Sequence, residues 1–204
     1  MRKFLSAIVL LMSGFAMQLQ AQSMSEAFLK APEDVFPLLT DLCRADLLDY
    51  FDAGMTAKVT NRLDGVTVLE SLDDDFMQIA MTRSSSVQVK MLPCADGTLF
   101  CVVRSVKAEV ADSRIDFYDS NWNRLQADVR FVYPTISDFF VSDAEKYIEL
   151  CDMYLVSLTL NADDCTVVAE YTMPAYMNVG DAEKVLPLLR RIVYRWNGER
   201  FVIG

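Results

Sequence analysis

The chain has 204 residues, with 19 basic and 29 acidic side chains, 52% apolar content, five cysteines and no histidine. That length holds one ordinary domain, and the composition excludes a disordered tail, a collagen-like repeat and a multi-pass membrane protein. A formal charge of −10 argues against nucleic acid as a partner, because that affinity comes from clustered Lys and Arg on phosphates.

Without imidazole the chain cannot build a Ser-His-Asp or Cys-His relay, a His-bearing zinc site or a two-His iron site. Any catalysis would run on carboxylates, Lys, Tyr or Cys.

Met1-Arg2-Lys3 precedes an apolar run from Phe4 to Met17, followed by the polar stretch Gln18-Leu19-Gln20-Ala21-Gln22. A positive start, a short apolar segment and a small residue at Ala21 describe a secretory leader cut after Ala21. The apolar run is shorter than the ~20 residues of a bilayer span, so no stable span is expected after cleavage. Residues 1–21 are therefore read as a signal peptide and 22–204 as a single α+β domain, located in the periplasm, outside the cell or on its surface. All five cysteines (Cys43, Cys94, Cys101, Cys151 and Cys165) follow the leader.

Ser23-Met24-Ser25-Glu26 has capping-box spacing and opens a helix. Pro32 predicts a second, short helix with Glu33 and Asp34 in its first turn. A third spans residues 44–52, with Leu47, Leu48 and Phe51 on one face, Asp46, Asp49 and Asp52 on the wet face, and Gly54 as its stop. From Ala57 the period changes to two. Strands are predicted at residues 57–63, 67–72, 76–82, 99–110, 113–118 and 128–133. Another carries Val87, Val89 and Met91 on a buried face, with Gln88 and Lys90 on a wet one.

Asp64-Gly65 and Asp96-Gly97 read as hairpin turns, and connections this short make antiparallel neighbours. With Asp96-Gly97 at the tip, Cys94 faces Leu99 and Cys101 lies one diagonal away, beyond easy bridging. The cysteines are accordingly expected to be reduced and packed. After Pro134 a helical insert is predicted over residues 136–153. Two alternating strands follow, carrying Tyr154, Val156, Leu158 and Leu160, then Val167, Ala169, Tyr171 and Met173. A helix at 181–189 and a hairpin at 192–203 around Asn197-Gly198 close the chain. The expected fold is α+β: a meander-like antiparallel sheet with N-terminal helices and a helical insert packed against it.

Chemistry-bearing patterns are few. Asp119-Ser120-Asn121-Trp122-Asn123 opens like a calcium loop, but Arg124 stands where that loop needs Gly and Arg130 where it needs Glu, so it reads as a turn. Asp73-Asp74-Asp75 reads as a solvated loop. Paired carboxylates are the one self-sufficient catalytic option, and nothing in the sequence selects a pair. The candidate ligand-binding residues are Tyr118, Trp122, Tyr194 and Trp196, a possible stacking platform, although strand aromatics are more often core. No catalytic residue, metal ligand or cofactor is indicated.

Met24-Ser25-Glu26-Ala27-Phe28, Asp46-Leu47-Leu48-Asp49-Tyr50, Val59-Thr60-Asn61-Arg62-Leu63-Asp64-Gly65, the segment from Asp112-Ser113 to Trp122, and Val193-Tyr194-Arg195-Trp196 together resemble an uncharacterised family of exported proteins of Bacteroidales-type bacteria, domain of unknown function 3256. The resemblance implies export and a single domain over nearly all of residues 22–204. It brings no activity and no site residues.

Three functions compete. The first is a non-enzymatic exported module that binds protein, peptide or glycan of the cell envelope, using exposed sheet edges. The second is a carboxylate-dependent glycan hydrolase, and the third a structural or assembly component of the envelope. The oligomeric state is not legible.

Overall fold

The computed structural model describes residues 23–141 and 145–204. The stretch read as a leader lies outside the described residues. The first helix, α1 (Met24–Lys30), starts where Ser23 Oγ accepts the Glu26 amide at 3.2 Å. Its end is gripped by a side chain from the second helix, α2 (Asp41–Asp52). Arg44, buried to 5% exposure, donates from Nη1 to the carbonyls of Phe28 and Ala31, and from Nη2 to Asp41. A cation on the orphan carbonyls of a helix end satisfies them and matches the helix dipole.

The helix predicted at Pro32 does not form. Residues 32–39 make two turns, Val35 N–H to Pro32 O and Leu39 N–H to Phe36 O. Pro37 removes a donor and drives Phe36 out of helical geometry. Val35, Phe36 and Leu39 still bury completely.

Seven strands follow as an antiparallel meander in chain order: β1 (Lys58–Thr60), β2 (Val66–Leu72), β3 (Phe76–Thr82), β4 (Ser85–Cys94), β5 (Gly97–Lys107), β6 (Ala111–Tyr118) and β7 (Arg124–Leu125). The β4–β5 register corrects the expected turn. Cys94 pairs with Gly97 and Cys101 with Lys90, so the tip is Ala95-Asp96. Gly97, at φ +121°, takes a position that side-chain-bearing residues avoid.

The strand predicted at 128–133 is instead a strap across the two layers. The amides of Arg130 and Phe131 both turn back to Ala127 O, while Arg130 O accepts from Phe201 N–H and Val132 O from the Tyr194 hydroxyl. The long insert predicted at 136–153 is also absent as one helix. A 3-10 turn at Ile136–Phe139 is tied by Asp138 Oδ2 to Thr135 N–H at 2.7 Å, and α3 (Glu145–Ile148) is a single turn. Phe139 and Phe140 are adjacent and both buried. A continuous helix would point neighbouring side chains about 100° apart, whereas the extended exit at Phe140 lets 139–141 pair with 188–190.

The chain then builds a second sheet. Strands β8 (Val156–Leu160), β9 (Thr166–Tyr171), β10 (Ile192–Trp196) and β11 (Phe201–Ile203) are antiparallel in the order β11-β10-β9-β8. Between β9 and β10 lies α4 (Val179–Val185), which tightens into a 3-10 turn where Pro187 cannot donate. One sheet was expected, and two are present.

Three layers result. On one face of the wide sheet, Met77, Ile79, Val87, Val89, Phe100 and Val102 pack against α1, α2 and the turns between them. On its other face Leu92, Leu99, Cys101, Val103, Ile115 and Phe117 pack against Val156, Leu158, Leu160, Val167 and Ala169 of the narrow sheet. The face expected to be wet is thus partly covered. Lys90 is 1% exposed, and its Nζ donates to Asp75 Oδ1 at 2.8 Å and to Ala162 O at 2.6 Å.

The narrow sheet meets the wide one along β8, whose outward amides find side-chain acceptors. Val156 N–H donates to Asp112 Oδ1 at 3.3 Å and Leu160 N–H to Gln88 Oε1 at 3.0 Å. Replacing Gln88 by Leu strands the Leu160 amide, and should lower stability by about 1–3 kcal/mol in urea unfolding. Asp112→Asn keeps an acceptor and should cost about 1 kcal/mol or less by the same measurement.

Candidate functional site

The four candidate aromatics do not converge. Tyr118 and Trp122 lie in the helix-side layer, 2% and 8% exposed, with ring centroids 5.5 Å apart. Asp119 shapes this loop. Its Oδ1 accepts the amides of Asn121 and Asn123, and Trp122 at φ +63° turns inward to stack on Phe100 at 4.3 Å and donate from Nε1 to Ala27 O. The calcium-like sequence is therefore a turn whose carboxylate is spent on its own backbone. Burial raises the Asp119 pKa, but hydrogen bonds from Asn123 and Asn121 outweigh it and hold the carboxyl below its ordinary range.

Tyr194 and Trp196 lie on the opposite side of the wide sheet. Tyr194 is 3% exposed, and Trp196 packs on Phe201 at 5.2 Å with Nε1 donating to Pro93 O at 2.7 Å. A platform would need these rings on one open surface, and two separate layers hold them.

What opens to solvent instead is a polar groove of about 360 Å³, where β8 crosses the wide sheet. Its lining includes Gln78, Thr82, Ser86, Gln88 and Ser105 from the wide sheet and Ser157 and Thr159 from β8. A second hollow of about 440 Å³ continues from it and shares Glu70, Gln78, Gln88 and Thr159. A hydrogen-bonded rail crosses this region. Gln78 Nε2 donates to Glu70 Oε2 and Gln88 Nε2 to Gln78 Oε1, both at 2.7 Å, and Gln88 Oε1 takes the Leu160 amide. Each bond polarises the next, with the Glu70 charge at the outer end. Short side chains set the groove's depth: Ala80, Ser86 and Ser105 stand in one cross-strand row.

Sequence reasoning missed this groove, because Ser, Thr and Gln on alternate strand positions look the same on any solvated sheet face. The available signal was one strand face carrying Gln78, Gln88, Ser86 and Ser105 in neighbouring positions, with Glu70 and Lys107 at its margins.

Among the described residues, Glu70 is the one carboxylate lining either part of the groove, where glycoside hydrolysis uses two about 5–10 Å apart. A separate hollow collects Asp52, Asp73, Asp74, Asp75 and Asp163, and of these Asp75 is already paired with Lys90. The carboxyls whose acidity is displaced, Asp119, Asp138 and Asp181, are all displaced downward, whereas a general acid needs the reverse. Thiols fare no better as nucleophiles. The five cysteines are unbonded, and burial pushes the thiols of Cys101, Cys151 and Cys165 up, keeping them protonated.

The expected docking edges are short or covered. β1, β7 and β11 run three, two and three residues, and the five-residue β8 lies against the wide sheet with Val156, Leu158 and Leu160 at 1–3% exposure. Edges of this kind resist strand addition.

Tyr154 and Tyr194 have pKa values pushed up to about 12. Burial is the main cause for both; neighbouring Tyr133, Tyr194, Asp112 and Asp138 add to it for Tyr154, and Asp138 for Tyr194. An unfolded tyrosine ionises near 10, so between about pH 10 and 12 only the unfolded chain loses these protons, and stability falls as pH rises through that window. Urea midpoints should fall gently from about pH 8, where the unfolded thiols of Cys101, Cys151 and Cys165 ionise first, and more steeply toward about pH 11 as the unfolded tyrosines follow. Tyr154→Phe, which also loses the 2.7 Å bond to Pro134 O, should show a lower midpoint at neutral pH and a shallower alkaline drop.

Comparison with known proteins agrees with this architecture. A family model described as "Protein of unknown function (DUF3256)" matches residues 16–201. The chain is similar to a solved domain of an uncharacterized protein from Porphyromonas gingivalis W83, with a TM-score of 0.77 and 28% identity over 90% of this chain and 98% of that one. No protein of curated description matches it.

Proposed function

The chain belongs to the DUF3256 family of proteins of unknown function, and on that premise we propose that it is exported and acts, without catalysis, as a binding module for an extended polar segment of an envelope protein. Export is supported by the charged start, short apolar run and small residue at Ala21. The observation that carries the binding role is the groove between the sheets, a pre-formed trough whose wall is the Glu70–Gln78–Gln88 rail. Carboxamides and hydroxyls offer both donors and acceptors, which suits a peptide backbone presenting the same two groups in alternation. The groove's own charged lining, Glu70 with Arg83 and Lys107, presents both signs, which suits a segment without strong net charge.

The groove supports a peptide over a glycan because, among the described residues, no aromatic ring lines its part of about 360 Å³, so a sugar ring would find no flat apolar partner there. It supports binding over hydrolysis because it holds one carboxylate.

Capture from native envelope extracts, followed by amide-shift mapping on the labelled chain, tests this reading. A peptide ligand should perturb Ser86, Gln88, Ser105 and Thr159, and Ser86→Trp, which fills the trough, should reduce its affinity at least about tenfold. Ligands that bind Ser86→Trp as well as the parent chain would place the site elsewhere. Capture of glycans alone would replace the peptide reading. Recovery of the chain from the cytosol with Met1 intact would remove the export step.

A further inference from the structure

We propose that a second pocket, at the edge of the wide sheet beyond β6, binds a monocarboxylate with an apolar body. The pocket, of about 510 Å³, opens where β7 stops after two residues and leaves the edge of β6 uncovered by a strand. There Ile115 N–H donates to the Tyr133 hydroxyl at 3.0 Å instead of to a backbone carbonyl. One wall is charged, with Arg114 and Arg124 in front of Asp116. The other wall is apolar, formed chiefly by Leu125, Phe131 and Val132.

The charged wall is built in a way that the fold alone does not require. Arg104 on β5 stands directly opposite Arg114 on β6, and like charges facing each other across strands destabilise a sheet. Arg124 joins them from β7, opposite Tyr118. All three turn to Asp116, whose side chain is 4% exposed. Arg104 Nη1 meets Oδ2 at 2.6 Å, while Arg114 Nε at 3.5 Å and Arg124 Nη2 both meet Oδ1. One guanidinium is enough to neutralise one carboxylate. Here three cations share it, in a chain with ten more acidic than basic groups.

The surplus points outward. The side chains of Arg114 and Arg124 are 69% and 53% exposed, and each guanidinium has five donors with one committed to Asp116. Asp128 lies on the rim, and among the described residues it forms no ion pair. Arg104 balances Asp116 from outside the pocket, so the free donors of Arg114 and Arg124 face Asp128 and, at longer range for Arg124, Asp34. A carboxylate takes two parallel N–H bonds from a guanidinium fork, and one bound between Arg114 and Arg124 relieves their mutual repulsion. Its apolar body then covers Val132, which is 69% exposed in the free chain. The shared chemistry is a carboxylate next to an aromatic or branched group, either a free small acid or the last residue of a peptide. This site does not depend on the groove between the sheets.

Titration calorimetry and amide-shift mapping on the full chain test it with N-acetylphenylalanine and its amide. The acid should bind with shifts at Arg124, Leu125 and Val132, and affinity should fall at least about tenfold for the amide and weaken with salt. Arg114→Gln leaves Asp116 paired with Arg104 and Arg124, so it should keep the parent Tm while losing at least about tenfold in affinity. Arg124→Gln should act in the same direction. Equal binding of acid and amide, full affinity in Arg114→Gln, or no binding of the acid would each overturn the proposal. A peptide ending in Phe that binds more tightly than N-acetylphenylalanine, and loses that gain on amidation, identifies a protein C-terminus as the source; equal affinities identify a small free acid. Either result upholds the site.

Discussion

A strand edge laid on the face of another sheet creates a problem that the rest of this molecule is arranged to solve. The outward N–H groups of Val156 and Leu160, buried residues of β8, face the wide sheet, and a buried backbone donor without a partner is costly. No neighbouring strand is available, so side chains from the wide sheet take the part of one. Asp112 on β6 and Gln88 on β4 accept the outward amides of Val156 and Leu160. Lys90, one pleat from Gln88, reaches the carbonyl of Ala162 at the end of β8. Thr172 Oγ1 makes the return contact, donating to Ala111 O at 2.7 Å. These bonds fix where the narrow sheet sits and at what angle, and apolar packing of Leu92, Ile115 and Phe117 on Val156, Leu158 and Val167 supplies most of the driving force.

The groove is a by-product of that geometry. Four strands cannot cover a seven-stranded face, and the uncovered part begins where β8 crosses. Gln88 belongs to both regions, with one end of its carboxamide holding the narrow sheet and the other continuing the rail to Gln78 and Glu70. The same residue that closes the layers therefore stiffens the open trough, so this polar surface is fixed by packing rather than left to move with solvent.

Much of the strand pattern was legible, and the reasons for the failures are physical. Residues 76–82 and the hairpin around Asn197-Gly198 follow from alternation and turn chemistry alone. The division into two sheets does not, because a period of two says that a face is buried and not what buries it. Lys90 reads as solvated for the same reason, since its burial depends on Asp75 and Ala162, which lie in two other connections. Tyr118 with Trp122 and Tyr194 with Trp196 give the same sequence signal and enter different layers, a distinction made only by the register of β5, β6 and β10. The opposition of Arg104 and Arg114 was equally hidden until the β5–β6 pairing was known. Arg44 and the broken helices at 32–39 and 136–153 were missed through single contacts or prolines whose effect is local.

The meander has a consequence for how the chain assembles. Every partner in the wide sheet is the next strand in sequence, so helices and seven strands complete one layer pair before residue 126 is needed. The narrow sheet has no such independence, since its leading strand closes only on acceptors that the earlier layer presents. The architecture thus permits assembly from N-terminus to C-terminus. A polypeptide threaded head first through a narrow channel would emerge in that same order.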